Sequence, residues 1–268
     1  MKLSFSTLGC PQWSWQDILS TAKDLGYNGI EVRGILSDIF APKAKPFAET
    51  PEGLPRTIAA LARLQLDIPC LASACDLFNP ARKQANLDEC RAYIHLAQKL
   101  GVPYIRVLGD LEAAPSDAVD EATLVAVAQE LGNDAEAAGV MLLIESNGIY
   151  ADTQQLAGLL QQIDRPAVGA LWDVHHPFRF FQEFPDTSYR NLKPWLRHVH
   201  IKDSVEMDGK IIYRMLGEGD IPVKACVDAL RSGGYDGYYS LEWLKRWNLT
   251  LEEPGIVFSH YIAYMKQL

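Results

Sequence analysis

The sequence predicts an α/β fold, a (β/α)8 TIM barrel occupying residues 1–268 as one domain. Eight short apolar runs recur along the chain, helical periodicity fills the intervals, and no linker or composition break interrupts the alternation. The length, 268 residues, is also close to the roughly 250 typical of such a barrel. With 48% hydrophobic and 22% charged residues, the chain has an ordinary globular balance and can bury a large core.

The strands are expected near Leu3–Leu8, Gly29–Arg33, Asp67–Ser73, Tyr104–Leu108, Met141–Ser146, Val168–Val174, His198–Asp203 and Tyr238–Trp243. Each run is rich in β-branched, aromatic or large apolar residues and is bounded by Gly, Pro, Asn or Asp. Met141-Leu142-Leu143-Ile144 is unbroken, as befits a parallel strand covered by helices on its outer face. Thr50-Pro51 and Asn79-Pro80 each put a capping residue before a proline suited to a first helical turn. Asp152–Gln155 and Thr250–Glu253 have the spacing of a capping box. Gly26, Gly101, Gly139 and Gly234 follow helical runs, where a left-handed residue ends the helix. Gly26-Tyr27-Asn28-Gly29 is echoed by Gly234-Tyr235-Asp236-Gly237, a sign of repeated βα units. No G-x-G-x-x-G follows the first strand, so a dinucleotide-binding open sheet loses its main support.

A net charge of −9 and a pI near 5.2 argue against partners with a polyphosphate backbone or an anionic membrane surface. We therefore expect no nucleic acid and no membrane, and a small sugar or polyol as the easier partner. Five cysteines, odd in number and without a C-x-x-C pair, fit reduced thiols and a cytoplasmic location. Neither a signal peptide nor a membrane-spanning stretch is expected.

The mouth of such a barrel is built from the C-terminal ends of its strands. Four of these ends carry residues a packed core would reject: Glu145, Asp173, His200 and Glu242. Unpaired, each carboxylate is costly to bury, and three converging on one mouth repel each other. One divalent cation resolves both problems, and three carboxylates with one imidazole suit Mn²⁺, Mg²⁺, Co²⁺ or Zn²⁺. Taken singly, Glu145 needs only Arg106 as a partner, Asp173 a loop to cap, His200 a core hydrogen bond and Glu242 solvent at the rim. The four together favour a shared metal site.

These residues, with Phe5-Ser6-Thr7-Leu8, Trp13-Ser14-Trp15, Gly29-Ile30-Glu31-Val32-Arg33 and Leu216-Gly217-Glu218-Gly219-Asp220, give the whole chain a resemblance. It resembles the xylose-isomerase-like barrel superfamily of sugar (phosphate) isomerases and epimerases, which also holds inosose dehydratases, hydroxypyruvate isomerases and endonuclease IV. The resemblance implies that Glu145, Asp173, His200 and Glu242 bind one metal ion, for which we expect Mn²⁺ first. It implies that His176, in the Asp-x-x-His spacing from Asp173, contacts substrate, and that the chain forms a homo-oligomer. His198 is read as a neighbour of the ligand, and Glu31 and Arg33 as reaching substrate or pairing locally.

Such a site suits proton transfer beside a carbonyl, with Glu145 and Glu242 as an acid/base pair on either side of a keto-sugar. Lys202 and Arg214 are candidates to hold a charged group, Trp15 to offer a flat face to a ring, and Trp13 and Trp243 less so. The loops Ser37–Pro46 and Pro177–Asp186, read as long and irregular, are the expected specificity loops, the second a phenylalanine-rich lid or contact. A dehydratase or lyase using the same mouth is the first alternative, and a non-catalytic sugar-binding or scaffold subunit the second. Six histidines, with His95 and His260 in helices, are too few at the mouth for a trinuclear zinc nuclease.

Overall fold

Every apolar run of the sequence becomes a strand, because its side chains are buried on both faces, against the barrel interior and against helices. The computed structural model describes residues 1–268. In chain order the elements are β1 (Lys2–Ser6), α1 (Trp15–Leu25), β2 (Gly29–Glu31), α2 (Leu54–Leu64), β3 (Cys70–Asp76), α3 (Lys83–Leu100) and β4 (Tyr104–Leu108). There follow α4 (Glu121–Ala138), β5 (Met141–Glu145), α5 (Thr153–Ile163), β6 (Val168–Asp173), α6 (His175–Phe181), α7 (Pro185–Leu192) and β7 (Leu196–Ile201). The chain ends with β8 (Asp203–Met207), β9 (Lys210–Arg214), α8 (Val223–Ser232), β10 (Tyr238–Leu241) and α9 (Pro254–Met265).

Eight strands pair in parallel in the order β2-β1-β10-β7-β6-β5-β4-β3. The remaining seam, between β2 and β3, is joined by the bridges Gly29–Asp67 and Val32–Leu71. There Ile30 N donates to Asp67 O (2.9 Å) and Ala72 N to Val32 O (2.8 Å). The barrel is nearly closed, and one continuous apolar core packs its wall against the surrounding helices.

Local sequence chemistry fixes the connections. Asp152 accepts from Gln154 N and Gln155 N at the start of α5, and Gly26, Gly101 and Gly139 end α1, α3 and α4 at φ of 80°, 69° and 72°. Two expected caps are corrected. Helix α2 starts after Gly53 and α9 after Glu253, with Pro55 and Pro254 in their first turns. Proline's fixed φ sets both starts. Thr50 lies in the preceding turn, and the Thr250 hydroxyl donates to Asn248 Oδ1 (2.6 Å). The segment Pro177–Asp186 is not an irregular loop: it continues α6, breaks at Gln182 (φ 52°) and enters α7. An unanticipated hairpin, β8–β9, leaves the barrel after β7 and turns at Asp208 (φ 52°) and Gly209 (φ 69°). Positive φ at both residues is the signature of a type I′ turn, which Asp-Gly favours.

Candidate metal centre and active site

Strand geometry carries four polar side chains to the C-terminal mouth. Glu145 ends β5, Asp173 ends β6, His200 is the penultimate residue of β7, and Glu242 directly follows β10. All four are buried, and one ligand atom from each lies within 4.8 Å of the other three. His200 Nδ1 is 3.0 Å from Glu145 Oε1, 3.5 Å from Glu242 Oε1 and 3.9 Å from Asp173 Oδ2.

The opposite edge of the same imidazole meets Glu31, buried at the end of β2. His200 Nε2 is 3.0 Å from both Glu31 carboxylate oxygens, and His198 Nε2 is 2.8 Å from Glu31 Oε2. Burial alone would raise the Glu31 carboxyl, but the two imidazoles outweigh it and hold it well below the usual carboxylate range. With Nε2–H donated to Glu31, the Nδ1 lone pair of His200 faces the three carboxylates. Burial would lower His200, yet Glu31, Glu242 and Glu145 raise it well above the ordinary imidazole value. Those carboxylates therefore demand a positive partner at Nδ1, a proton or a metal cation.

Lys202 follows β7 and joins the cluster. Its Nζ is 2.6 Å from Asp173 Oδ2 and 2.5 Å from Glu242 Oε2. Burial disfavours the ammonium, but Asp173 and Glu242 hold its pKa well above the usual lysine value. The Asp173 oxygen is still buried without a partner in hydrogen-bonding geometry. Arg106 on β4 faces Glu145, Nε to Oε2 at 3.3 Å. Four carboxylates (Glu31, Glu145, Asp173, Glu242) thus meet two obligate cations, Lys202 and Arg106. The two negative charges left over match one divalent ion. Donor atoms all within 4.8 Å of one another are also close to the roughly 4.0–4.4 Å that two bonds of about 2.0–2.2 Å span across one ion. The donor set therefore fits a metal, with Lys202 addressing two of the same carboxylates.

The other sequence candidates fall into two groups. His176 stays beside the cluster: its Nδ1 is 2.9 Å from Ser146 O and its Nε2 3.8 Å from Asp173 Oδ2. Burial lowers its pKa, so a neutral ring donates through Nδ1 and leaves Nε2 as an acceptor at the mouth. His175 opens α6, where its Nε2 meets Ser204 Oγ (2.8 Å), and one of its ring nitrogens also lies within 4.8 Å of an Asp173 oxygen. Arg214, on β9, forms no ion pair within 4.0 Å and no side-chain hydrogen bond; Arg179 of α6 instead contacts Ser204 O and Oγ and Asp220. Trp15 packs edge-on against Phe47 and Trp13 against Phe258. Trp243 is 1% exposed with Nε1 donating to Glu252 O, so it is a core residue and no ring platform.

Sequence reasoning missed the partners of Glu31, more than 160 positions away in the chain, and the role of Asp203. The Asp203 carboxylate accepts from Ser204 N (2.8 Å), Gly217 N (3.0 Å), Gly219 N (3.0 Å) and Ile221 N (3.2 Å). It organises the Leu216–Asp220 loop. A Cβ at Gly219 would lie 2.0 Å from Asp203 Oδ1, which is why that position has none.

Residues 19–265 match the model of the xylose isomerase-like TIM barrel family. The chain belongs to that family. Among its relatives, fructoselysine 3-epimerase of Shigella flexneri is 25% identical over 274 residues, covering 96% of this chain and 94% of the relative. Of solved structures, the probable 3-DHS dehydratase AsbF of Bacillus anthracis superimposes with a TM-score of 0.79 at 19% identity, covering 99% of each chain. A family barrel from Mycobacterium smegmatis in complex with magnesium superimposes with a TM-score of 0.76 at 15% identity, covering 99% of this chain and 95% of that one. No helix is long and apolar enough to cross a membrane.

Proposed function

We propose that the protein is a divalent-metal-dependent isomerase or epimerase of a keto-sugar or related polyol. The observation that carries this is the convergence of Glu145, Asp173, His200 and Glu242 within 4.8 Å at the barrel mouth. Membership of the family, the likeness to an epimerase along nearly the whole chain and the magnesium-bearing neighbour support it. The four residues would hold one ion, Mn²⁺ being our first choice, and a bound divalent cation supplies Lewis-acid polarisation of a carbonyl.

The chain's own residues supply the rest. Glu145 and Glu242 come from strands on opposite sides of β7, on β5 and after β10, and both reach His200 Nδ1. One carboxylate takes the proton from the carbon beside the ketone, and the C–H electron pair moves toward the carbonyl oxygen as an enediolate forms. The other, protonated, returns a proton to the opposite face, which inverts that carbon. Neutral His176 accepts a hydrogen bond from a substrate hydroxyl through Nε2. Lys202 balances the negative charge that develops. Self-association into a homo-oligomer belongs to the same proposal and is read by light scattering.

The test is proton exchange. Metal-loaded protein in D₂O should wash deuterium into the carbon beside the ketone of an accepted ketose, followed by NMR, and E145Q and E242Q should each slow it by about a hundredfold or more. Near wild-type exchange in both variants sinks the assignment. A dehydrated product would move the reading to a lyase acting through the same first step.

A further inference from the structure

A second charged feature lies on the same face of the barrel and has the opposite character. Arg33 follows β2 and Arg246 follows Glu242 by four residues, so both stand at the C-terminal mouth above the end of β1. Arg33 is only 8% exposed, yet it has no carboxylate within 4.0 Å; its one side-chain hydrogen bond runs from Nη1 to Ile39 O (3.1 Å). Arg246 donates from Nη1 to Leu36 O (2.8 Å), while its Nε and Nη2 are buried without any partner. Burial lowers the pKa of the Arg33 guanidinium, as do Arg106 and Arg246, with Tyr93 and Glu242 partly offsetting them. The two guanidinium groups bond carbonyls three residues apart on one loop, Ile39 O and Leu36 O.

Uncompensated guanidinium groups are costly to bury. Here the backbone holds them in place. Thr7 Oγ1 accepts from Arg33 N (2.9 Å) and donates to Gly34 O (2.7 Å), and Arg246 N donates to Leu8 O (3.1 Å). Gly34 at φ 145° and Leu36 at φ 51° bend the loop whose carbonyls receive both guanidinium groups. The Trp247 ring lies 5.8 Å from the Arg33 guanidinium carbon. A cation–π contact at this distance takes up none of the guanidinium N–H groups, which can donate to a planar or tetrahedral oxyanion. Leu36, Ile39 and Trp247 form an exposed apolar rim around it.

We propose that Arg33 and Arg246 form an oxyanion subsite, which binds a carboxylate or phosphate at the end of the substrate remote from the reacting carbon. The word substrate rests on the function proposed above; the anion site itself does not. It makes the preferred ligand an acidic sugar derivative rather than a neutral ketose.

Two measurements test it separately from the chemistry. The first uses full-length protein freed of metal by chelation and dialysis, titrated with inorganic phosphate and with acetate, and read by calorimetry and tryptophan fluorescence. Saturable binding of at least one anion is expected, weakened about tenfold or more in R33Q and in R246Q, with both variants matching wild type in circular dichroism. Binding of neither anion, or equal binding in both variants, overturns the subsite whatever the enzyme does. The second compares metal-loaded protein with D-fructose, D-fructose 6-phosphate and 5-keto-D-gluconate. An advantage of about tenfold for one acidic compound, lost in R33Q and R246Q, identifies phosphate or carboxylate as the anion. No advantage for either acid removes the subsite from substrate recognition and overturns the proposal. Anion binding without any proton exchange would leave the subsite standing and refute the proposed activity instead.

Discussion

Two sets of buried carboxylates stand at the strand ends or just beyond them, at the same mouth of this barrel, and are treated in opposite ways. Asp203 is surrounded by backbone: four main-chain N–H groups converge on it, and no other titratable side chain is needed to satisfy it. Glu145, Asp173 and Glu242 face one another, and their partners are the side chains of His200, Lys202 and Arg106. Backbone donors cannot leave, so Asp203 is fixed in one role, shaping a loop. Side-chain cations can rearrange or be replaced, so the mouth carboxylates remain available to a ligand. A buried acid is a candidate for chemistry when its partners can change.

The contrast can be broken most severely at the mouth. E145Q and E242Q are each expected to lower proton-exchange turnover by about 10²–10⁴-fold, with little loss of folding stability, measured by NMR exchange and thermal melts. At the clamp the outcome should reverse. D203A, which strands four backbone donors, should cost about 3 kcal/mol of stability or more, seen as a fall in the denaturant midpoint, while metal per chain by elemental mass spectrometry stays unchanged.

Metal addition sharpens the comparison. A saturating ion at about one hundred times its dissociation constant should stabilise wild type and D203A alike by about 2.7 kcal/mol. The E145Q/D173N double variant should gain nothing. The Glu31 carboxylate tests the same boundary from behind His200: E31Q should weaken metal binding by about 10- to 100-fold in a competition titration while the fold persists. The smallest effect belongs to a carboxylate that does neither job. D152A removes the cap of α5 and should cost about 1 kcal/mol, with no change in metal content.

Much of this division was legible in the sequence, and the exceptions have physical reasons. Glu145, Asp173, His200 and Glu242 stood out because a polar residue closing an apolar strand has few places to go but the mouth. Glu31 closes a strand too, but its partners lie across the barrel on β7, a contact no local pattern announces. Thr50 and Thr250 looked like caps because capping chemistry also builds turns, and Pro55 and Pro254 decide where the helices begin. Trp243 was read as a possible sugar platform, whereas its bulk draws the indole into the core. The hairpin carries a local signal, since Asp208-Gly209 between Val205 and Ile212 is a strong two-residue turn, but it occupies an interval where the barrel repeat calls for a helix.

That hairpin has a consequence for anyone who wishes to alter the molecule. Its base is anchored by the Asp203 clamp, whereas Met207 beside its tip is 53% exposed. Its two strands pair only with each other, outside the eight-stranded sheet. Added length at Asp208-Gly209 is absorbed by a two-stranded ribbon, with no barrel register to disturb. The tip is thus a natural socket, where a reporter peptide or a second binding module can be grafted without touching the wall that holds the mouth.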